Sequence, residues 1–154
     1  MISQGAEYAL RAVVCLAQQP GRSLTTQQVA EVTRVPVAYL AKVLQSLARA
    51  RIVTSQRGLN GGFVLARLPA TLTLLDIVRV VDSSHRIDTC PLRIACHGTN
   101  LCALHRRLDE AAATIEQLLG SATVSEILQD TTGPHPLCIH QTAALKPPSE
   151  VSLD

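Results

Sequence analysis

Apolar residues along this chain recur mostly at three- and four-residue spacing, the signature of helices buried on one face. Over residues 3–18, Tyr8, Ala9, Ala12, Val13, Leu16 and Ala17 share such a face, and Gln19-Pro20-Gly21 ends the run. Cys15 falls inside this helix as a small core residue. Thr25-x-x-Gln28 has the form of a capping box, in which the hydroxyl accepts an orphan amide and the amide side chain reaches back. It opens a second helix with Val29, Ala30 and Val32 on its apolar side. Thr33-Arg34-Val35 is a short turn, and Pro36 suits the first turn of a third helix, where a missing amide costs little. Along that helix Leu40, Val43, Leu44 and Leu47 form the buried stripe, leaving Ala38, Tyr39, Ala41, Lys42, Gln45, Ser46 and Arg49 outward.

The period then changes. Residues 52–57 are rich in β-branched side chains and read as a strand, Gly58-Leu59-Asn60-Gly61-Gly62 as a turn, and residues 63–67 as the returning strand. Two short helices joined by a tight turn and followed by a hairpin make a winged helix-turn-helix, whose second helix enters a major groove. Arg57 and three glycines at the wing tip would let backbone approach a sugar–phosphate chain closely; ordinary turn geometry also accounts for the glycines.

Thr73-x-x-Asp76 caps a fourth helix, almost wholly apolar from Leu74 to Val81, which Asp82-Ser83-Ser84 stops. Residues 85–101 read as loop. From about Cys102 to Leu119 a long helix carries a stripe of Leu104, Leu108, Ala111, Ala112, Ile115, Leu118 and Leu119; Gly120-Ser121 breaks it. Thr123-x-x-Glu126 caps a last short turn through Leu128. The expected fold is mainly α with a small β-hairpin wing: a winged helix-turn-helix domain over residues 1–82, then a cysteine-bearing loop and dimerisation helix over 83–130. Residues 131–154, with four prolines, read as a flexible tail holding His135, Cys138 and His140. The long helix has spare apolar surface, whose natural use is a homodimer and whose alternative is burial within the subunit.

Charge adds a division of labour. Residues 1–68 hold eight basic side chains against Glu7 and Glu31, net +6, while the remainder is net −4. A basic N-terminal half suits a polyanion such as double-stranded DNA. With aromatics at 2%, base-stacking platforms for single strands are excluded. No P-loop, dinucleotide fingerprint, nucleophile elbow or metalloprotease motif occurs, so neither an enzyme nor a small-molecule substrate is expected. No apolar run is long enough to span a bilayer and no leader pattern precedes the first helix, which predicts a cytoplasmic protein without membrane contact. In a reducing compartment its five cysteines serve as metal ligands or redox groups rather than as a disulfide frame.

The chemistry concentrates in residues 90–105. Cys90, Cys96 and Cys102 stand at C-x5-C-x5-C spacing, with His105 three residues after the last. Three thiols and an imidazole are ingredients of an iron–sulfur or zinc site, or of a metal-free thiol switch. Cys102 and His105 share one helical face.

Tyr8-Ala9-Leu10-Arg11, Tyr39-Leu40-Ala41-Lys42-Val43-Leu44, Arg57-Gly58-x-x-Gly61-Gly62-Phe63-x-Leu65, Thr73-Leu74-x-x-Asp76-Ile77-Val78 and the spaced cysteines together resemble the IscR/NsrR family of bacterial winged-helix regulators, the Rrf-two family, over residues 1 to about 130. The resemblance implies a dimeric transcription factor, usually a repressor of a palindromic operator, carrying a [2Fe–2S] or [4Fe–4S] cluster that responds to cluster supply, redox stress or nitric oxide. It implies Cys90, Cys96 and Cys102 as ligands, completed by His105 or by an acid placed like Glu7 of the partner subunit. The outer face of the third helix is expected to enter the groove through Tyr39, Lys42, Gln45 and Ser46, with Arg57, Asn60 and Gly61 at the wing. Val35-Pro36-Val37-Ala38 departs from the usual Ser-rich start of the recognition helix, and Ala41 replaces an acidic residue, so the operator read here is expected to differ.

Overall fold

The computed structural model describes residues 2–58, 61–82, 86–92, 94 and 100–141. The chain begins with α1 (Gln4–Ala17), whose orphan amides are met by Ser3, the side chain accepting from Ala6 N at 3.1 Å. α2 (Thr26–Thr33) starts with the complete Thr25/Gln28 capping box and ends on Arg34 in the left-handed region, which turns the chain sharply. α3 (Val37–Arg49) follows, with Pro36 standing just outside its first turn rather than in it, and no side chain caps its N-terminus. Its stripe of Leu40, Val43, Leu44 and Leu47 is buried, as its spacing requires.

Strands β1 (Val53–Gln56) and β2 (Gly62–Leu65) pair antiparallel, from Val53 opposite Leu65 to Gln56 opposite Gly62. Phe63 also exchanges backbone hydrogen bonds with Leu24, at 2.7 and 2.9 Å, so the hairpin is fastened to the loop between α1 and α2. Gly62 makes that approach possible: a Cβ there would lie 2.4 Å from the Leu24 carbonyl oxygen. A Cβ on Gly61 would meet the carbonyls of Gln56 and Gly58 at 2.8 and 2.9 Å. Gly61 therefore answers to packing within the wing, and Gly62 to the wing's fastening on Leu24.

After a short 3₁₀ turn (Pro69–Thr71) comes α4 (Leu74–Val81), opened by the Thr73/Asp76 capping box. Next come α5 (Ala103–Ser121) and α6 (Val124–Gln129), the latter opened by a Thr123/Glu126 box. Gly120 and Ser121, expected to break α5, are its last residues; the Gly120 position faces the Leu75 side chain. The chain then returns: Leu74 N donates to Ala122 O and Val124 N to Leu72 O, which seats Val124 fully in the core.

One core unites α1 to α4, the hairpin and α6, built on Leu16, Leu24, Leu40, Leu44, Leu47, Ile52, Leu72 and Ile77, with Cys15 buried among them. α5 contributes no buried residue. The segment beginning at Thr131 was expected to be a tail, yet its first part is docked. Gln18, the C-cap of α1, donates from Nε2 to Pro136 O at 2.8 Å and meets His135 Nδ1 at 3.0 Å, and Leu137 packs against the core. An apolar side chain and an amide at the open end of α1 explain that docking. Cys138 is exposed; the side chain of His140 and everything after Gln141 lie outside the described residues.

Candidate functional site

Two surfaces carry chemistry. The first is the outer face of α3 with the hairpin beside it. Lys42 and Gln45 are exposed, and Ser46 is half-buried and accepts from Arg49 Nη2 at 3.1 Å. Gln45, Ala48 and Arg49 of α3 face Ser55 and Phe63 of the hairpin across an open groove of about 310 Å³. Arg49 belongs to this surface beside Gln45 although it was read only as an outward residue; its position one turn beyond Gln45 was the available signal. Tyr39 is 45% exposed, but its ring leans back on α1. It meets Tyr8 edge to face with centroids 5.4 Å apart, and its hydroxyl lies where a Cβ on Gly5 would stand, at 2.9 Å. Arg57 is exposed at the wing tip, next to Gly58 with φ +110°. Asn60 lies outside the described residues.

The second surface is where the loop after α4 meets the start of α5. Cys102 is the N-cap of α5, so His105 follows within the first turn. His105 Nδ1 lies 3.1 Å from Cys102 Sγ and 3.5 Å from Cys90 Sγ, and these three atoms are all within 4.8 Å of one another. The backbone amide of His105, and then its imidazole, favour the Cys102 thiolate and lower that thiol to about 7. Burial acts oppositely on Cys15, which is pushed up to about 11. Cys90 is 4% exposed. Cys96 lies outside the described residues, so three of the four expected local ligands are seen together.

The donor set fits a thiophilic metal. Around one ion at metal–sulfur and metal–nitrogen bonds of about 2.3 and 2.0 Å, neighbouring tetrahedral ligands stand about 3.6 Å apart. The sulfur–nitrogen spacings of 3.1 and 3.5 Å lie close to that. Glu7 is not among these groups within one subunit. Its carboxylate accepts from Arg11 Nε at 2.5 Å, and Arg11 also donates to Thr33 O at 3.1 Å.

Hydrogen bonds tie this centre to its surroundings. Asp82, where the loop begins, accepts from the amide and the hydroxyl of Ser3 at the head of α1. Arg86 and the amide of Ile87 both donate to Asp109 on α5. Arg79 of α4 pairs with Glu116 of α5 at 3.5 Å. Among the described residues no helix is long and apolar enough to cross a membrane.

The architecture is a winged helix-turn-helix whose cysteine–histidine group is shared by the loop after α4 and the start of α5. Residues 2–130 match the Rrf2 family, described as iron-dependent transcriptional regulators, and the chain belongs to that family of DNA-binding proteins. It is similar to an HTH-type transcriptional regulator of Aquifex aeolicus (strain VF5), 28% identical over 131 residues that span 83% of this chain and 91% of that one. Among solved structures it resembles T. potens IscR with 26% identity and a TM-score of 0.68, over 86% of this chain and 93% of that one. CymR (YrzC), the global cysteine regulator of B. subtilis, shares the fold with 23% identity and a TM-score of 0.67, over 82% and 95% of the two chains.

Proposed function

We propose that this protein is a homodimeric repressor whose affinity for a palindromic operator is set by an iron–sulfur cluster, [2Fe–2S] or [4Fe–4S]. In this reading Cys90, Cys96 and Cys102 bind the cluster and His105 completes it. The observation that carries it is the convergence of Cys90, Cys102 and His105 within 4.8 Å, in a chain of the iron-dependent family. His105 is preferred to Glu7 as fourth ligand because its Nδ1 already stands between two of the sulfurs. Glu7 would first have to leave Arg11. A bound cluster supplies a junction that oxidants or nitric oxide can dismantle and that fails to form when cluster supply falls.

Residues 1–82 form the DNA-binding part and 83–130 the sensing and dimerising part. Lys42, Gln45 and Ser46 on α3 face the major groove, Tyr39 adds only the exposed part of a ring that leans back on α1, and Arg57, Asn60 and Gly61 bring the wing to the backbone or minor groove. The two recognition helices of a dimer would address half-sites one helical turn, about 34–36 Å, apart. Dimerisation through α5 is supported by Leu104, Leu108, Ala111, Ile115 and Leu118, whose alternating four- and three-residue steps are those of a coiled-coil seam. The leucines among them are 63, 51 and 65% exposed in the subunit. Coupling runs through the base of the loop. Asp82 holds Ser3 at the head of α1; two and five residues on, Gly5 and Tyr8 carry Tyr39 of α3. A change in the loop thus bears on the recognition helix as well as on the spacing between subunits.

Thiol oxidation without metal is a second reading, favoured by the same closeness of the Cys90 and Cys102 sulfurs. The absorption spectrum of anaerobically purified protein, with iron, sulfide and zinc content, tests the first against it. Iron and sulfide in equal amounts, lost in Cys102→Ser, are expected. A colourless protein free of iron, or one loaded with zinc alone, overturns the cluster reading.

A further inference from the structure

We propose that Asp109 is the positioning residue of the Cys90/Cys102/His105 centre: it clamps the incoming loop so that Cys90 meets His105. The inference rests on reading that group as a metal-binding centre.

Cys102 and His105 need no help to meet, since they lie in one helical turn. Cys90 does need help. It sits on the connection between α4 and α5, which spans residues 82–102, and a connection of that length does not deliver a thiol to one point without paying chain entropy. Asp109 lies one turn beyond His105 on α5, on the same face. Its carboxylate accepts from Arg86 Nε at 2.6 Å, Arg86 Nη2 at 2.8 Å and the amide of Ile87 at 2.9 Å. The Arg86 contact is bidentate, which fixes direction as well as distance. The Ile87 contact grips the main chain itself, three residues before Cys90. From there the chain brings Cys90, 4% exposed, to 3.5 Å from His105 Nδ1.

The other ion pairs of α5 do different work. Arg107–Glu110 stays within the helix, and Arg79–Glu116 joins it to α4. Asp109 acts on the loop, and with both oxygens engaged by Arg86 and Ile87 it is occupied as a clamp and is not itself a ligand. The site is thus assembled from two separately anchored pieces, a helix turn holding Cys102 and His105 and a clamped loop holding Cys90.

The test is Co2+ titration of the full-length, reduced, metal-free protein, read by the sulfur-to-cobalt charge-transfer band, with far-ultraviolet circular dichroism as the control for folding. Asp109→Ala is expected to weaken Co2+ binding by about tenfold, the scale of ordering roughly one further loop residue on binding. At saturation its charge-transfer intensity is expected to fall to that of Cys90→Ser, because the thiolate lost is Cys90. Arg86→Ala, which leaves the helix untouched, is expected to move both readouts the same way and less, since the Ile87 bond remains. Wild-type affinity and band intensity in both variants would overturn the clamp. Failure of the wild-type protein to bind Co2+ through thiolates would instead overturn the metal-centre reading on which the clamp rests, and the two failures are separable because the wild-type titration comes first.

Discussion

The winged part of this molecule and the part built on α5 are held together by different forces. Between α1 and α4 the side chains that matter point inward and are excluded from water: Leu40, Leu44 and Leu47 are fully buried, and Cys15 is one packing atom among many. In α5 no residue is buried, and what fixes the loop to it is a carboxylate with three donors. Hydrophobic burial is non-directional and seats the inner face of α3 on the rest of the winged part. Directional polar contacts with marginal burial belong to the low-stability end of a fold, the part that opens most readily. The same residue type therefore means different things in the two halves.

The two cysteines give the sharpest contrast. In metal-free protein at pH 7, Cys102 titrates at about 7 and Cys15 at about 11, a difference of more than about a thousandfold in thiolate fraction. Brief treatment with iodoacetamide followed by peptide mass spectrometry is expected to label Cys102 and leave Cys15 intact. Equal labelling would mean that α1 opens as readily as the loop.

Leucines come next. Leu44→Ala is expected to lower stability by about 2–5 kcal/mol in denaturant unfolding. Leu118→Ala removes a side chain that is 65% exposed within the subunit and is expected to act on association, raising the dimer dissociation constant in sedimentation equilibrium by about tenfold or more. A large loss of unfolding stability for Leu118→Ala, independent of protein concentration, would place it in a core and erase the contrast.

A smaller effect separates the charges. Lys42→Ala is expected to weaken DNA binding on all sequences and to reduce the salt slope by about 1. Arg107→Ala, 79% exposed and paired with Glu110 on α5, is expected to leave that slope unchanged.

Much of this was legible from the sequence. The stripe of α3 and the capping boxes at Thr25, Thr73 and Thr123 are local signals, complete within a few residues. The Cys102/His105 pair is local in the same way. What was not legible connects distant positions. Gly62 looked like a turn residue free to approach DNA because its neighbour Leu24 is far away in sequence. The docking of Pro136 and Leu137 depends on Gln18 at the end of α1, and nothing in a proline-rich segment announces that partner. Asp109 carries no local signal, since the donors that define it lie 22 and 23 residues earlier. Periodicity records which face is apolar; it carries no record of which polar groups will meet.

The smallest expected effect concerns that clamp. The side chain of Arg86, then the amide of Ile87, hold Asp109 at about 2, below its usual 3.8. A depressed carboxylate contributes stability above its unfolded value and loses it as pH falls through the folded one. The stability difference between wild type and Asp109→Asn is therefore expected to be constant above about pH 5, to shrink as pH drops through about 4 to about 2, and to vanish near about pH 1. A difference that persists at low pH would contradict the ion pair as its source.

The central claim is that what the Cys90/Cys102/His105 centre holds decides how tightly the winged half binds DNA. The most direct measurement is anaerobic titration of operator DNA with the cluster-loaded protein, the same protein after cluster removal, and Cys102→Ser, at one fixed salt concentration. The account predicts that the loaded and stripped forms differ by about tenfold or more, the scale of a coupling free energy of 1–3 kcal/mol, and that Cys102→Ser binds like the stripped form whatever it is exposed to. Three superimposable binding curves would contradict it.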